Sequence, residues 1–439
     1  MHDPSLIALA LVGAVIGAVL ALVPGLHVYN VAGLAFLLAA QQALPLSGQA
    51  MAMLMIGLVV GWSVVNVIPS VFLFAPDDAS AFIVLPATKM LLRGRGLDAA
   101  MLVGAGSVGA LLALVLAAPL LDEVLRPVRQ IIAPHIAWMQ VAIIAVLVIG
   151  EWPRHDALAP TPLRRLLSAW AWLGAGLVTF ILSGIVGFVL LYRSPVPIEA
   201  SFQNLLPAFV GLFAAPGLLQ MLVFGVRPPK QDAGLRLEVT PYQLARGTLT
   251  GVAGGLFAGV LPVISGGIGG LLAGHATAQR DDRIFLVSQG ASKIAYYAGG
   301  LMLLFVPGLG LTRGGMAWMI STIYVPYGWQ PYWLAVAGVA LAGALSFALL
   351  VALARGAAAL TGRINAKLVS ALALAMSVAV TIGFTGLGGL GVMVVATFIG
   401  LIPVLVGGRR MNCLGVLLAP ITLNVIGVGP DVAHALGLL

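Results

Sequence analysis

Apolar runs separated by short polar loops make up almost the whole chain. Runs of about 20 apolar residues recur along the 439 positions, and one helix needs this length to cross a bilayer. A transmembrane barrel would instead show segments of about 10 residues in which apolar and polar positions alternate. The pattern therefore predicts an all-α polytopic integral membrane protein with about 10–12 membrane segments.

Two of the apolar runs are interrupted in their middle by helix-breaking residues. Pro24 and Gly25 interrupt the run LALVPGLHVYNVAGLAF at 20–36, and Pro262 interrupts FAGVLPVISGGIGGLLAG at 257–274. At membrane depth, backbone opened in this way is tolerated only where protein or a water-filled cavity satisfies its polar groups. The two runs are therefore predicted to form re-entrant hairpins.

The interruptions recur at a nearly constant spacing, which predicts an internal repeat. Pro24 and Pro262 lie 238 residues apart, and a second pair, Pro76 and Pro307, lies 231 residues apart. The predicted organisation is a first repeat at 5–125, intervening helices and cytoplasmic loops at 126–244, a second repeat at 245–365 and C-terminal helices at 366–439. Paired, interrupted segments in inverted repeats are typical of secondary transporters, so the site is expected at the repeat interface.

Composition and charge support a membrane protein and argue against a nucleic-acid partner. The chain is 61% hydrophobic and only 8% charged, against roughly 25% in soluble proteins, and its mean hydropathy is +1.10. The net charge of +8 is distributed over short loops and is not gathered on one face, as nucleic-acid binding requires. The single cysteine, Cys413, excludes an intrachain disulfide.

The basic clusters predict the orientation of the chain in the membrane. No lysine or arginine precedes Lys89, and the clusters lie at 88–96, 153–165, 227–236, 279–283, 355–367 and 408–410. Because cytoplasmic loops are enriched in lysine and arginine, we expect these loops in the cytoplasm, the N-terminus outside, and the protein in the inner cell membrane. Arg126 and Arg129 are exceptions, and they lie near Asp122 and Glu123.

The first interruption offers polar groups to a substrate. A helix that starts after Pro24 and Gly25 would direct its free N–H groups at whatever binds there, and His27 and Asn30 add side-chain donors. The alternative is a kinked helix in which His27 bonds a neighbouring carbonyl.

The second interruption is the counterpart of the first. Ser265, Gly266 and Gly267 combine a hydroxyl with successive glycine amides, which makes a compact cradle for an anion. The alternative is close helix packing through small residues, a common use of glycine in membranes. The two interruptions together are the predicted substrate-binding elements.

Two adjacent carboxylates, Asp77 and Asp78, lie in the apolar stretch VIPSVFLFAPDDASAFIVLP at 67–86. Charged residues within the membrane are costly and mostly functional, and adjacent like charges favour a bound proton or cation. We therefore predict that Asp77 and Asp78 hold the coupling ion, H⁺ or Na⁺. The alternative is a helix N-cap at the membrane edge.

Lys293 is the only basic residue between Arg283 and Arg313, and it lies within the apolar segment VSQGASKIAYYAGG at 287–300. At membrane depth a lysine needs a partner, either an aspartate or a bound anion. Lys293 and the adjacent Ser292 are therefore predicted to contact the substrate. The alternative is that the lysine side chain snorkels to the membrane surface.

No set of residues typical of an enzyme accompanies these features. The chain has no Walker-type phosphate loop, and none of its six histidines has a second metal ligand spaced on the same helix face. Ser265 has no histidine or aspartate partner that the sequence indicates. We therefore expect a transporter and not an enzyme, with no cofactor other than the coupling ion.

Three segments resemble the TctA family, the large membrane subunit of tripartite tricarboxylate transporters. They are VIPSVFLFAPDDASAFIVLPATKMLLRGRGLDAAMLVGAGSVGALLAL, LVPGLHVYN and TFIGLIPVLVGGRRMNCLGVLLAPITL, and the match is closest to the archaeal-type branch of stand-alone permeases. The resemblance implies a secondary carrier of organic anions with two inverted repeats, in which Pro24, Gly25 and Asn30 match the first substrate-binding loop. At the second loop, Val263 stands where a Pro-Gly pair is expected.

The resemblance also bears on partners and on the ligand. It implies a small membrane subunit and a periplasmic binding protein, and the stand-alone branch is the alternative in which they are absent. A shorter segment, LPVISGGIGG, is similar to an element of PopT-type undecaprenyl-phosphate flippases. The expected function is transport of a small organic anion, a carboxylate, coupled to H⁺ or Na⁺. The alternative is a flippase for a polyprenyl-phosphate lipid, with the ligand then a lipid phosphate.

Overall fold

The computed structural model describes residues 4–40, 45–152, 161–225 and 228–439, and these ranges contain helices and no strand. Most of the predicted loop cluster 153–165 lies outside the described residues. The helices, in chain order, are α1 Pro4–Leu20, α2 Val28–Ala40, α3 Gly48–Val65, α4 Val67–Phe72, α5 Val84–Leu92, α6 Gly96–Ala117, α7 Leu121–Ile132, α8 Ile136–Ile149, α9 Pro162–Tyr192, α10 Leu206–Phe209, α11 Ala215–Phe224, α12 Pro241–Val260, α13 Gly266–Ala276, α14 Asp282–Ile294, α15 Gly300–Phe305, α16 Gly315–Ile323, α17 Trp329–Leu360, α18 Ala366–Val406, α19 Gly415–Ile426 and α20 Gly429–Ala435. Two π-helical turns, Val210–Ala214 and Ala295–Gly299, join α10 to α11 and α14 to α15.

The multi-pass α-helical class is confirmed. Six stretches within the described residues are long and apolar enough to cross a membrane, namely Gly48–Phe72, Gly96–Ile149, Pro162–Tyr192, Leu206–Phe224, Trp329–Leu360 and Ala366–Val406. The stretch Gly96–Ile149 has 54 residues, which extend about 80 Å at 1.5 Å per residue and therefore suffice for two crossings. The described residues also contain shorter apolar helices, such as α1, and the predicted number of 10–12 membrane segments stays a prediction.

Small residues bring α1 against α3 and α12 against α14. A Cβ atom added to Gly13 or Gly17 of α1 would lie 2.2 or 2.3 Å from a carbonyl oxygen of α3. The same holds for Gly251 and Gly255 of α12, whose added Cβ atoms would lie 2.2 and 2.3 Å from carbonyl oxygens of α14. Glycine at these positions allows the helix backbones to touch, which is how membrane helices gain packing energy without a hydrophobic driving force.

Both predicted interruptions are breaks between helices. Pro24 lies between α1 and α2, and Pro262 lies between α12 and α13. In each break the residue after the proline adopts a left-handed backbone, with φ of +81° at Gly25 and +53° at Val263. Val263 therefore holds the conformation that glycine holds in the first break, although a β-branched residue is strained there. Whether the breaks form re-entrant hairpins stays a prediction.

The two left-handed positions should respond differently to substitution. Gly25→Ala should destabilise the protein by about 1–2 kcal/mol, the cost of a left-handed L-residue, and its Cβ would also lie 2.8 Å from a methyl group of Val210. Val263→Gly removes the same strain, but it loses about 0.5–1 kcal/mol through glycine's freedom in the unfolded chain and also loses the packing of a half-buried side chain against the core, so its melting temperature should stay close to that of the wild type. Thermal unfolding in detergent measures both, and a similar loss in both variants would contradict the assignment.

The polar loops meet at one end of the bundle. Glu238 accepts hydrogen bonds from Arg95 at 3.0 Å and from Arg283 at 3.1 Å, which joins the first and fourth basic clusters. A Cβ atom at Gly362 would lie 2.8 Å from the backbone nitrogen of Lys230, which joins the third and fifth. The common location agrees with the charge pattern, and the cytoplasmic orientation of this end stays a prediction.

Arg126, an exception to the charge pattern, is neutralised locally. Its guanidinium pairs with Asp122 one helical turn earlier and donates a hydrogen bond to the carbonyl of Pro307 at 2.8 Å. The pairing compensates the charge of Arg126 at this position, and the residue remains an exception to the charge pattern.

Glu151, just after α8, ties this part of the chain to the segment before α19. Its carboxylate accepts hydrogen bonds from the backbone N–H of Arg409 at 3.0 Å and from the Asn412 side chain at 2.9 Å. Burial raises the pKa of Glu151 to about 7, and the Arg409 N–H offsets only part of that increase. Because the pKa in the unfolded chain is lower, the protonated carboxyl favours the folded state, and this stability is lost as the pH rises through about 7.

The melting temperature of the wild type should therefore fall between about pH 5 and about pH 8. Glu151→Gln keeps an oxygen for the Arg409 N–H but cannot ionise, so it should flatten this part of the curve. The exposed Glu123 provides the control, and Glu123→Gln should keep the wild-type slope. An unchanged slope in Glu151→Gln would contradict the role of Glu151.

Candidate functional site

Asp77 and Asp78 lie in a largely buried, non-helical segment at 73–80, between α4 and a 3₁₀ turn, Ala81–Ile83, that leads into α5. Asp77 and Asp78 are 8% and 5% exposed. Asp77 Oδ1 accepts the backbone N–H of Ser80 at 2.7 Å, so the alternative of a local cap is realised for one oxygen. The other oxygen of Asp77 and Oδ1 of Asp78 have no hydrogen-bond partner in the described ranges, which leaves two buried acceptors to be compensated by other means.

Lys293 of α14 compensates one of them. Its ammonium donates to Asn66 Oδ1 at 2.6 Å and to Ser80 Oγ at 2.8 Å, and it lies 3.2 Å from Asp77 Oδ2. The ammonium also lies 4.7 Å from the centre of the Trp62 ring, a cation–π distance. Lys293 is 4% exposed, so it does not snorkel. Three oxygens and one aromatic face surround it as they would surround a bound cation.

His27 approaches Asp78 from the first break. The backbone N–H of Tyr29 donates to its Nδ1 at 3.2 Å, a bond that requires a lone pair on Nδ1. This arrangement corresponds to the neutral tautomer that carries its proton on Nε2. This nitrogen lies within hydrogen-bond distance of the Tyr297 hydroxyl, at 3.0 Å, and 3.6 Å from Asp78 Oδ1.

The buried cluster formed by His27, Asp77, Asp78 and Lys293 contains one more carboxylate than ammonium groups. With a neutral histidine, two carboxylates oppose a single ammonium. An uncompensated charge in a membrane interior is costly, so the cluster suits one additional proton or cation. Ligand atoms of the histidine and both aspartates lie within 4.8 Å of one another. Lys293 already pairs with Asp77, however, and His27 Nε2 carries a proton in the tautomer described above, so neither group is free to bind a metal ion. The donor set therefore fits a proton on Asp78 better than a metal ion.

Pro24 and Asn30, which the sequence also predicts to bind substrate, make hydrogen bonds that fix the backbone of the first break. The Pro24 carbonyl accepts a hydrogen bond from Ser377 at 2.8 Å. Asn30 Oδ1 accepts the backbone N–H of His27 at 3.2 Å, and the Asn30 carbonyl accepts from Gln203 at 2.7 Å. These bonds fix the turn that presents His27, so Pro24 and Asn30 lie beside the cluster without joining it.

The second break packs against the aspartate segment. A Cβ atom at Gly267 would lie 2.4 Å from the Ala79 carbonyl oxygen, and one at Gly266 would lie 3.1 Å from the Lys293 Cα. Ser292 donates to the Gly266 carbonyl at 2.6 Å and so fastens the break to α14. Ser265 is buried and its hydroxyl has no hydrogen-bond partner. Among Ser265, Gly266, Gly267 and Ser292, Ser265 alone offers a side-chain group without a hydrogen-bond partner in the described part of the chain.

Sequence reasoning missed four side chains that complete the cluster, namely Trp62, Asn66, Ser80 and Tyr297. Asn66 is a polar residue inside an apolar stretch, and that signal could have identified it. Tyr297 lies in the π-helical turn after α14, and such turns are common at functional sites because they re-aim side chains. Nothing in the sequence alone indicates that turn.

Comparisons with known proteins identify a family of membrane transport proteins. The model of the tripartite tricarboxylate transporter TctA family matches residues 7–415. An uncharacterized protein of Methanocaldococcus jannaschii is 27% identical over 315 residues, which cover 71% of this chain and 72% of that protein. No solved structure matches the chain.

Proposed function

Because the chain belongs to the tripartite tricarboxylate transporter TctA family, we propose that it is a secondary active transporter of a carboxylate anion, coupled to protons. The family is one of transport proteins and forms part of tripartite systems. The alternative of a lipid flippase gains no support from the family match. The substrate class and the coupling ion are the parts of this proposal that experiment must decide.

The observation that supports the coupling is the excess negative charge of the buried cluster. Asp78 faces His27 Nε2 at 3.6 Å, while Asp77 is matched by Lys293 at 3.2 Å. Protonation of Asp78 would make the cluster neutral, and loss of that proton would make it attract a cation or repel an anion. Such a site can couple its protonation to the conformation of a carrier. Each of the two arrangements of the interrupted helices would then favour a different protonation state.

The packing of the two halves supports the proposal of two repeats at 5–125 and 245–365. Gly13, Gly17 and Pro24 lie at the same relative spacing as Gly251, Gly255 and Pro262. In the first half α1 packs on α3 and α17, and in the second half α12 packs on α14 and α6. If α1 is matched with α12, α3 with α14 and α6 with α17, each of these helix–helix contacts in one half has a counterpart in the other. A carrier with two such halves would place its site between them, where the buried cluster lies.

Uptake into proteoliposomes that contain only this chain tests the proposal. Labelled acetate, succinate and citrate represent mono-, di- and tricarboxylates, and each is offered with a pH gradient, with a sodium gradient, or with neither. We expect accumulation of at least one carboxylate with an acidic exterior, and its loss with a protonophore. Accumulation that follows the sodium gradient alone would overturn proton coupling.

The same vesicles distinguish the remaining alternatives. If no carboxylate enters but a fluorescent polyprenyl-phosphate lipid changes leaflet, the flippase alternative replaces the proposal. We further propose that the chain works without a small membrane subunit or a periplasmic binding protein, as in stand-alone permeases. Uptake only after those subunits are added would overturn that part.

A further inference from the structure

A cavity of about 1010 Å³ lies beside the aspartate segment, at the end of the bundle where the polar loops meet. We call it the vestibule. Phe74, Ala81 and Phe82 line it together with residues 403–404 and 407–411. Phe74 and Ala81 flank Asp77 and Asp78 in sequence, so the vestibule reaches the segment that carries the buried cluster.

Arg410 lines the vestibule and is 9% exposed. Its Nη1 donates to the carbonyl oxygens of Phe74 at 2.9 Å and of Phe213 at 3.1 Å. Both of its hydrogen bonds use this one nitrogen, which leaves Nε and Nη2 without an acceptor among the residues that the structure describes. A charged guanidinium in the apolar interior normally pairs with a carboxylate or with a ligand.

No carboxylate of the described chain pairs with Arg410. The ion pairs among those residues do not include it. The two acidic residues that line the vestibule are already matched, Asp282 by Lys89 at 3.0 Å and Asp281 by Arg283 at 3.1 Å. The vestibule therefore keeps a positive charge at its buried wall.

We propose that the vestibule is a binding site for a carboxylate anion and that Arg410 is its anchor. The free edge of the guanidinium, Nε with Nη2, matches the two oxygens of one carboxylate. The inference deepens the proposed function, on which it rests, by assigning an anion subsite separate from the buried cluster. An anion held here would lie next to the segment of Asp77 and Asp78, on the side of the basic loops.

A protection assay tests this site without relying on transport. Thr88 lines the vestibule and is partly exposed, so a Thr88→Cys variant should react with a water-soluble maleimide. The wild type is the background control, because its only cysteine, Cys413, is buried. Labelling rates are measured in phosphatidylcholine vesicles with acetate, succinate, citrate or inorganic phosphate. We expect at least one carboxylate to slow labelling several-fold.

Two further changes, each made in the Thr88→Cys chain, identify the anchor. Arg410→Gln should abolish the protection. Gln220→Glu places a carboxylate in the vestibule wall without touching the bonds of Arg410 to backbone, and it should also abolish protection, whereas Gln220→Met should keep it. If Arg410→Gln does not fold, as judged by gel filtration, the Gln220 pair decides the matter.

Three results would overturn the inference. In the first, no carboxylate slows the labelling of Thr88→Cys. In the second, carboxylates still protect after both Arg410→Gln and Gln220→Glu. In the third, phosphatidylglycerol added to the vesicles slows labelling, and carboxylates do not reverse this effect. Uptake measured in the same vesicles separates this inference from the proposed function. Uptake without protection removes the vestibule site and leaves the transporter, and protection without uptake keeps the site and removes the transporter.

Discussion

Lys293→Met is expected to lower the stability of the protein more than any other single substitution in the buried cluster. It leaves Asp77 as a buried carboxylate without a counter-charge, and it removes the donor to Asn66 and Ser80. Breaking a buried ion pair on one side typically costs about 3–5 kcal/mol. A fall in melting temperature in detergent, together with a low yield of folded protein, would be the measured effect.

The double variant separates a structural pair from a functional one. Asp77→Asn in the Lys293→Met chain removes the uncompensated charge, so it should restore most of the lost stability. Lys89→Met is the matched control, because Lys89 also lies 3.0 Å from an aspartate, Asp282, but on the surface. Exposed pairs contribute about 0–1 kcal/mol. The assignment fails if Lys293→Met is no more damaging than Lys89→Met, or if the second substitution restores nothing.

Asp78→Asn is expected to uncouple transport while leaving the protein folded. Asparagine has the shape of the protonated aspartic acid and removes the excess negative charge of the cluster, so stability should be unchanged or higher. A gradient of one pH unit stores about 1.4 kcal/mol per proton, which sustains an accumulation of about tenfold for a one-proton carrier. The variant should lose this accumulation and keep exchange of substrate down its own gradient.

The contrast with Asp77→Asn makes the test specific. In that variant Lys293 loses its carboxylate, so the expected defect is in stability and not in coupling. Uptake under a pH gradient, compared with counterflow exchange in the same proteoliposomes, measures the two properties. Proton-driven accumulation that persists in Asp78→Asn would remove Asp78 from the coupling mechanism, and His27 would then be the next group to substitute.

These two experiments answer why the chain places two adjacent carboxylates in an apolar stretch. The structure assigns them different partners. Asp77 meets a tethered ammonium, which makes it part of a structural pair, whereas Asp78 meets a neutral imidazole and keeps an unsatisfied oxygen. The two carboxylates are adjacent in sequence, but they lie in different environments.

The sequence by itself determined the class of the protein, the positions of the breaks and the residues that are expensive in a membrane. These properties are local. A bilayer imposes its length on every crossing segment, proline removes a donor wherever it stands, and a charge at membrane depth is costly whatever surrounds it. For this reason Pro24, Pro262, Asp77, Asp78 and Lys293 could all be singled out before any contact was known.

The tertiary structure alone decided which of these residues meet and what each one does. Lys293 pairs with Asp77 and not with Asp78. Ser292 donates a hydrogen bond to the backbone of the second break. Arg410 lines a cavity and has no carboxylate partner among the described residues. Such contacts join residues far apart in sequence, and they depend on the register in which glycine-rich helices such as α12 and α14 pack. That register comes from the shapes of both helix surfaces together, and a hydropathy pattern, which describes one segment at a time, does not contain it.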